Sequence, residues 1–260
     1  MFENTVKRML RKGEPAIGSW LSIPSGISTE IMAQAGFDWL LVDFEHSHID
    51  IKDGLAMLQA MNGSDAVPIS RVPQIDLGWV KRVLDMGSMG VLFPLVSNAD
   101  EAALAVSYAK YPPEGVRGVA STMRVNRYGV YRREYFEKAN DEILIMVQVE
   151  NASALDNLDQ IVKVKGIDCI FVGPMDLSTA LGVSGEYDSP VFIDAVDRVV
   201  RVCKESGMPV GTLTSSLAEA EKRIRQGFTF VGIQSDTRFL GGAAIDVASK
   251  AKKLVKNLKD

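Results

Sequence analysis

The sequence predicts a single (β/α)8 TIM barrel spanning residues 1–260, and three observations carry that expectation. Short, nearly unbroken apolar runs alternate with longer stretches of helical period, the alternation occurs eight times, and polar residues finish most of the runs. Strands covered by helices outside and by packed side chains inside lose the alternation of a half-exposed sheet, so continuous runs are what parallel barrel strands should show. With 260 residues, 47% hydrophobic and 24% charged, the chain can fill one such core.

The units follow in order. Ala16–Leu21 is the first strand and Ser28–Ala35 its helix, stopped by Gly36. Asp38–Asp43 with Lys52–Met61 is the second unit, and Val67–Val72 with Leu77–Met86 and Gly87 is the third. Gly90–Leu95 leads into Ala99–Lys110. The fifth unit is Ile143–Glu150 with Ser153–Val164 and Gly166; the sixth is Asp168–Val172 with Val191–Ser206 and Gly207. Pro209–Thr214 with Leu217–Gln226 and Gly227 forms the seventh, and Thr229–Gln234 with Ala243–Leu258 the eighth. The glycines fall where a helix ends in a left-handed cap. One connection is long: Tyr111–Glu142 starts with Pro112-Pro113-Glu114-Gly115-Val116-Arg117-Gly118 and is expected to be an active-site loop or a subunit contact. Lys250-Ala251-Lys252-Lys253 reads as the solvated face of a terminal helix.

A net charge of −4 lacks the basic footprint of a nucleic-acid binder, which leaves small molecules as the expected partners. No apolar run is long enough to span a bilayer, and Met1–Gly13 has no apolar signal-peptide core, so no membrane partner and a cytoplasmic location are expected. Cys169 and Cys203 read as buried thiols, not as a disulfide or a zinc site.

In a barrel the C-terminal ends of the strands open into one mouth, where catalytic side chains gather. Here the ends supply Trp20, Asp43-Phe44-Glu45-His46, Arg71, Gln148 with Glu150, Gly173-Pro174-Met175-Asp176, and Ser235-Asp236. Glu150 and Asp176 end adjacent strands. Like charges placed together call for a proton or a cation, and an oxygen-only pair suits Mg2+ or Mn2+, although a helix N-cap or an ordinary ion pair would also account for Asp176. His46, beside Asp43, is the candidate general base, with Asp43 expected to fix its tautomer. Arg71 closes an apolar strand and is expected to meet a substrate oxyanion or carboxylate. No lysine lies inside any predicted strand, which removes Schiff-base chemistry. Gly211-Thr212-Leu213-Thr214-Ser215-Ser216 makes a poor phosphate cup. What remains is stabilisation of an enolate beside a 2-oxo acid.

Four segments carry a resemblance: Ala35-Gly36-Phe37-Asp38-Trp39-Leu40-Leu41-Val42-Asp43-Phe44-Glu45-His46; Tyr111 through Gly118; Gln148-Val149-Glu150; and Val172-Gly173-Pro174-Met175-Asp176-Leu177-Ser178. On these the chain resembles the metal-dependent (class II) pyruvate aldolases of the HpcH/HpaI family, which includes 2,4-dihydroxyhept-2-ene-1,7-dioate and 2-dehydro-3-deoxyglucarate aldolases. The resemblance covers nearly the whole length. It implies the phosphoenolpyruvate/pyruvate-type barrel superfamily and the cleavage of a 4-hydroxy-2-oxo acid to pyruvate and a small aldehyde. It also implies metal ligands Glu150 and Asp176, with Mg2+ or Mn2+ as the ion and Co2+ as a further candidate, and catalytic His46, Asp43 and Arg71. Gln148 and the amides of Met175 and Asp176 would hold the pyruvate carboxylate, and Trp20, Gly173 and Leu213 would complete the pocket. Asp85 from a neighbouring subunit would support the histidine, in a hexamer or trimer that exchanges its last helix. Phe44 and Met175 stand where several members have glycine and alanine, which implies a narrower or more apolar pocket. Two other readings stay open: a lyase acting on β-hydroxyacyl-coenzyme A thioesters, for which the arginines at 117, 124, 127, 132 and 133 could serve, and a non-catalytic carboxylate-binding barrel or metal-dependent hydrolase.

Overall fold

The computed structural model describes residues 3–258. Eight strands, β1 (Ala16–Leu21), β2 (Trp39–Asp43), β3 (Val67–Arg71), β4 (Gly90–Phe93), β5 (Leu144–Val149), β6 (Cys169–Val172), β7 (Val210–Thr214) and β8 (Phe230–Ser235), pair in parallel in chain order and close into a barrel through β1 and β8. Closure leaves no unpaired sheet edge. The ladder slips between Gly18 and Trp20, where β1 meets β8.

The helices are α1 (Thr5–Arg11), α2 (Gly26–Ala33), α3 (Ile51–Ala60), α4 (Leu77–Asp85), α5 (Ala99–Ala109), α6 (Arg132–Glu142), α7 (Ala152–Asp156), α8 (Leu158–Ile161), α9 (Pro174–Ala180), α10 (Pro190–Ser206), α11 (Leu217–Gln226) and α12 (Asp236–Asn257). Most start on a side-chain cap: Ser25, Asp50, Asp76, Asn98, Asn151, Ser216 and Ser235 each accept a first-turn amide.

Two apolar layers follow from the strand pattern. Between strands and helices lies the larger one, with Leu40, Val42, Val91, Ile145, Val147 and Val172 turned outward. Inside the barrel, Trp20, Trp39, Leu41, Ile69, Met146, Phe171 and Phe230 fill the interior. Trp39 stacks on Phe230 at 4.0 Å between centroids and meets Trp20 edge-on at 5.6 Å. Gly18 makes room for this pair, because a Cβ there would lie 2.0 Å from the Trp39 ring. Trp20 and Phe171 are thereby both interior packing and the floor of the mouth.

The structure departs from the sequence expectations in five places. α1 was not anticipated; Val6 and Leu10 join the interior layer, and Lys7 bonds the Ile143 carbonyl at 2.7 Å and Asp168 at 2.9 Å, so the helix plugs the end of the barrel opposite the mouth. Ser153–Val164 breaks at Asn157 into α7 and α8. The short α9 opens on Pro174, whose fixed φ and missing N–H suit a first helical position. α12 starts at Asp236, well before Ala243, and runs through Gly241 and Gly242. The Tyr111–Glu142 connection is not a bare loop: it holds a 3-10 turn, Arg124–Asn126, and the whole of α6.

Candidate active site

A cavity of about 850 Å3 occupies the mouth, within the usual range for a small-molecule site. Among the expected residues, Trp20, Asp43, His46, Arg71, Gln148, Gly173, Met175, Asp176 and Leu213 all line it. Glu150 sits just behind, 2% exposed, after β5. Two expected residues lie elsewhere. Asp85, expected to act on a neighbouring subunit's histidine, ends α4 outside its own chain's cavity and pairs with Arg117 at 2.7 Å. Asp236, read as a strand-end group, is buried and accepts the amides of Ser22 and Ile23 at 2.9 and 3.0 Å, which ties the β1–α2 turn to α12.

The β2 and β3 ends are locked together. Asp43 and Arg71 are register partners, and the guanidinium grips the carboxylate twice, Nε to Oδ1 at 2.9 Å and Nη2 to Oδ2 at 2.6 Å. Nη1 of Arg71 reaches Glu45 Oε2 at 3.1 Å. Arg71 therefore has internal carboxylate partners, which corrects the expectation of an arginine awaiting only a substrate anion. Burial alone would lower its pKa, but Asp43 and Glu45 outweigh burial and hold it above the ordinary range. The second correction concerns Asp43. Its Oδ1 also accepts the amides of Glu45 and His46, at 3.0 and 3.3 Å, so its oxygens are spent on the turn and on Arg71 rather than on the imidazole. The carboxylate facing His46 Nε2 is Glu45, at 3.7 Å, with the imidazole itself 63% exposed.

On the opposite wall, Glu150 accepts the Leu95 amide at 2.7 Å and takes a second hydrogen bond from the Gln148 side-chain amide. Leu95 adopts a left-handed φ of 54°, a conformation a branched residue avoids unless its surroundings hold it there. Gly173 presses on the same carboxylate: a Cβ there would come within 2.4 Å of Glu150 Oε2. α9 begins without a side-chain cap, so its first-turn amides, at Met175 and Asp176, have no side-chain acceptor.

These carboxylates crowd one another. Glu45 is pushed up to about 7 by burial first, against the pull of Arg71, with Asp43 and Asp176 raising it further. Glu150 also rises to about 7, from burial first, against the Leu95 amide, with Asp176 and Glu45 adding repulsion. Four carboxylates thus share a mouth whose one strand-end arginine is already engaged. Glu45 Oε2, off the line of the Arg71 N–H, and Gln148 Oε1 are buried acceptors without a hydrogen-bond partner. Among the described residues no three His, Cys, Asp or Glu side chains converge as a ready-made metal cage. Any cation there would take part of its coordination from water or substrate, as Mg2+ commonly does.

Phe44 does not narrow the pocket. It packs against Gly54, where an added Cβ would lie 2.3 Å from its ring, and against Trp79 at 5.7 Å, in the helix layer. Met175 does line the cavity, 54% exposed. The arginine-rich connection lies away from the mouth. Arg117 is buried between Asp85 and the Tyr111 ring, Arg124 caps the Leu58 carbonyl at 2.9 Å, and Arg124 and Arg127 line a separate cavity beside the start of β3. The described part of this chain therefore gives no support to an active-site loop or a coenzyme A patch in that segment. The site residues missed in sequence are the Leu95 amide and two wall residues, Tyr187 and Arg238; Glu45 was read as lying near His46, but the carboxylate partner of the imidazole was assigned to Asp43. Glu45 stood in the same polar cluster as His46; Arg238 was hidden behind the Gly241-Gly242 pair.

The chain is similar to known proteins over most of its length. A family model described as HpcH/HpaI aldolase/citrate lyase matches residues 16–241. A 5-keto-4-deoxy-D-glucarate aldolase from Enterobacter sp. (strain 638) is 39% identical over 253 residues, 97% of this chain and 98% of the relative. A 4-hydroxy-2-oxo-heptane-1,7-dioate aldolase from Escherichia coli is 39% identical over 249 residues, 95% of each. Among solved structures, an HpcH/HpaI aldolase/citrate lyase family protein from Burkholderia cenocepacia J2315 superposes with a TM-score of 0.92 at 35% identity, covering 96% of this chain and 99% of that one. An HpcH/HpaI aldolase from Desulfitobacterium hafniense DCB-2 gives 0.88 at 29%, covering 95% and 96%.

Proposed function

The chain belongs to the HpcH/HpaI aldolase/citrate lyase family, and from that premise we propose that it reversibly cleaves a 4-hydroxy-2-oxo acid to pyruvate and a small aldehyde. As a carbon–carbon lyase it must place negative charge on the C2 oxygen and move a proton at the C4 hydroxyl. The observation that carries the reading is the gathering of Asp43, Glu45, Glu150 and Asp176 around one engaged arginine, where burial first, and repulsion between the carboxylates after it, raise Glu45 and Glu150 to about 7. A mouth so rich in carboxylates fits a divalent cation, which Glu150 and Asp176 would hold. Mg2+ or Mn2+ suits these oxygen donors, with Co2+ as a third candidate. When bound, the cation supplies positive charge that orients the 2-oxo acid and offsets the charge of an enolate.

The chain's own residues do the rest. His46, at the open rim, takes the proton from the C4 hydroxyl, with Glu45 3.7 Å from its Nε2. The C3–C4 bond breaks, its electron pair becomes the enolate, and the aldehyde leaves. Arg71, pinned by Asp43, holds its guanidinium where charge grows on the C2 oxygen. Gln148 and the open amides of α9 suit the C1 carboxylate. Trp20, Gly173 and Leu213 shape the wall and exclude water from the enolate until it is protonated at C3.

The test is solvent exchange of the pyruvate methyl protons, followed by NMR with Mn2+ or Mg2+ present. Exchange that stops on chelation and in Glu150→Gln supports the reading; exchange that survives both overturns it. The same reading includes a homo-oligomer, hexamer or trimer, supported by the exposed Leu240, Ile245, Val247 and Leu254 of α12. Light scattering that finds a monomer would remove that part. Among the described residues no helix is long and apolar enough to cross a membrane.

A further inference from the structure

The cavity has two chemically different ends. The strands β2, β3, β5 and β6 contribute the carboxylates, Arg71 and His46, whereas the β7–β8 side is walled by Leu213, Thr214, Ser215, Tyr187 and the first turn of α12. On that turn stands Arg238, the cavity's second arginine. Among the described residues it makes no ion pair, and no hydrogen bond to its side chain occurs; only its backbone amide is used, by Ser235 Oγ. The acidic wall group that follows β7, Glu219, is committed elsewhere, since it accepts the Ser215 amide and hydroxyl at 2.8 and 2.9 Å and faces Arg223. A cation in the first turn also opposes the helix dipole, so neither local pairing nor helix stability accounts for an arginine here. Gly242, one turn further along the same face, lines the cavity too, and nothing lies within 4 Å of where its Cβ would be. The space beside Arg238 is open.

We propose that Arg238 is a specificity-determining residue, recognising an anionic group, a carboxylate in the first instance, at the end of the acceptor aldehyde remote from its carbonyl. The proposal rests on the aldolase reading above and names the acceptor class for it. The donor's C1 carboxylate is held on the β5–β6 side, so a substrate spanning the cavity presents its far end to α12. A planar guanidinium with no internal partner then binds that group bidentately.

The test compares 4-oxobutanoate with butanal as acceptors for pyruvate in wild type, Arg238→Ala and Arg238→Lys. Losing a charge-assisted contact should lower the kcat/KM ratio of the charged to the neutral aldehyde by roughly tenfold or more in Arg238→Ala, with partial recovery in Arg238→Lys. Pyruvate methyl exchange without any aldehyde reports the donor half alone. A ratio that stays at the wild-type value in Arg238→Ala, or a fall matched by equal loss of methyl exchange, overturns the role assigned to Arg238. Absence of exchange and of aldol product in wild type would instead overturn the aldolase reading, and the proposal with it.

Discussion

Arg71 and Asp43 sit at paired register positions of β3 and β2 and are joined by two hydrogen bonds, of 2.9 and 2.6 Å. The same carboxylate takes the amides of Glu45 and His46, so it sets the direction of both the arginine and the turn that carries the histidine. Asp43→Asn should leave buried Arg71 with Glu45 as its remaining close counter-charge and cost about 1.5–3 kcal/mol of stability, with a fall in kcat. Urea denaturation alongside steady-state turnover measures both. Arg71→Lys, which cannot grip bidentately, should lose activity despite keeping the charge.

Gly173 is a second point of leverage. An alanine there must displace the Glu150 carboxylate, so Gly173→Ala should keep the fold yet weaken Mn2+ binding and lower turnover in parallel. Titration calorimetry with Mn2+ reads the binding. Unaltered affinity would show that Glu150 has room the packing denies it.

Protonation links metal and stability. Glu45 and Glu150 ordinarily titrate near 4.5 but are raised to about 7 in the fold, so the folded chain holds their protons more tightly than the unfolded one. Without metal, stability falls as pH rises from 4.5 towards 7. A cation that needs the ionised carboxylates reverses this, so the rise in Tm on adding Mn2+ should be larger at about pH 8 than at about pH 5. A metal-induced shift independent of pH would contradict the assigned ligands.

Phe44 separates packing from selectivity. With its ring against Gly54 and Trp79, Phe44→Ala should cost about 3–5 kcal/mol, read by chemical denaturation, as deletion of a buried aromatic does. Its relative rates across a panel of aldehydes should match wild type, whereas Met175→Ala should change them.

The strands were legible because both faces of each are covered, which forces runs such as Trp39–Val42 and Leu144–Val147 to be apolar without a break. The strand ends followed, and with them most of the mouth. Partnerships were not legible: Asp43 lies closer in sequence to His46 than to Arg71, and only the β2–β3 register shows that the arginine takes it. α12 was foreshortened because Gly241-Gly242 disfavours a helix locally, whereas the Ser235 cap and the helical run beyond carry it through. α1 was missed because a 7-residue helix is too short to establish a period against its surrounding charges; tertiary contacts of Val6, Met9 and Leu10 inside the barrel end hold it.

The interior layer of Trp20, Trp39, Phe171 and Phe230, backed by α1, leaves the mouth as the way in and out. With one doorway, occupancy has an order. On the proposed function, the 2-oxo acid should settle before the aldehyde, and in cleavage the aldehyde should depart first. Kinetics should then be sequential and ordered, with pyruvate competing against the 4-hydroxy-2-oxo acid for the same free enzyme and the aldehyde inhibiting noncompetitively.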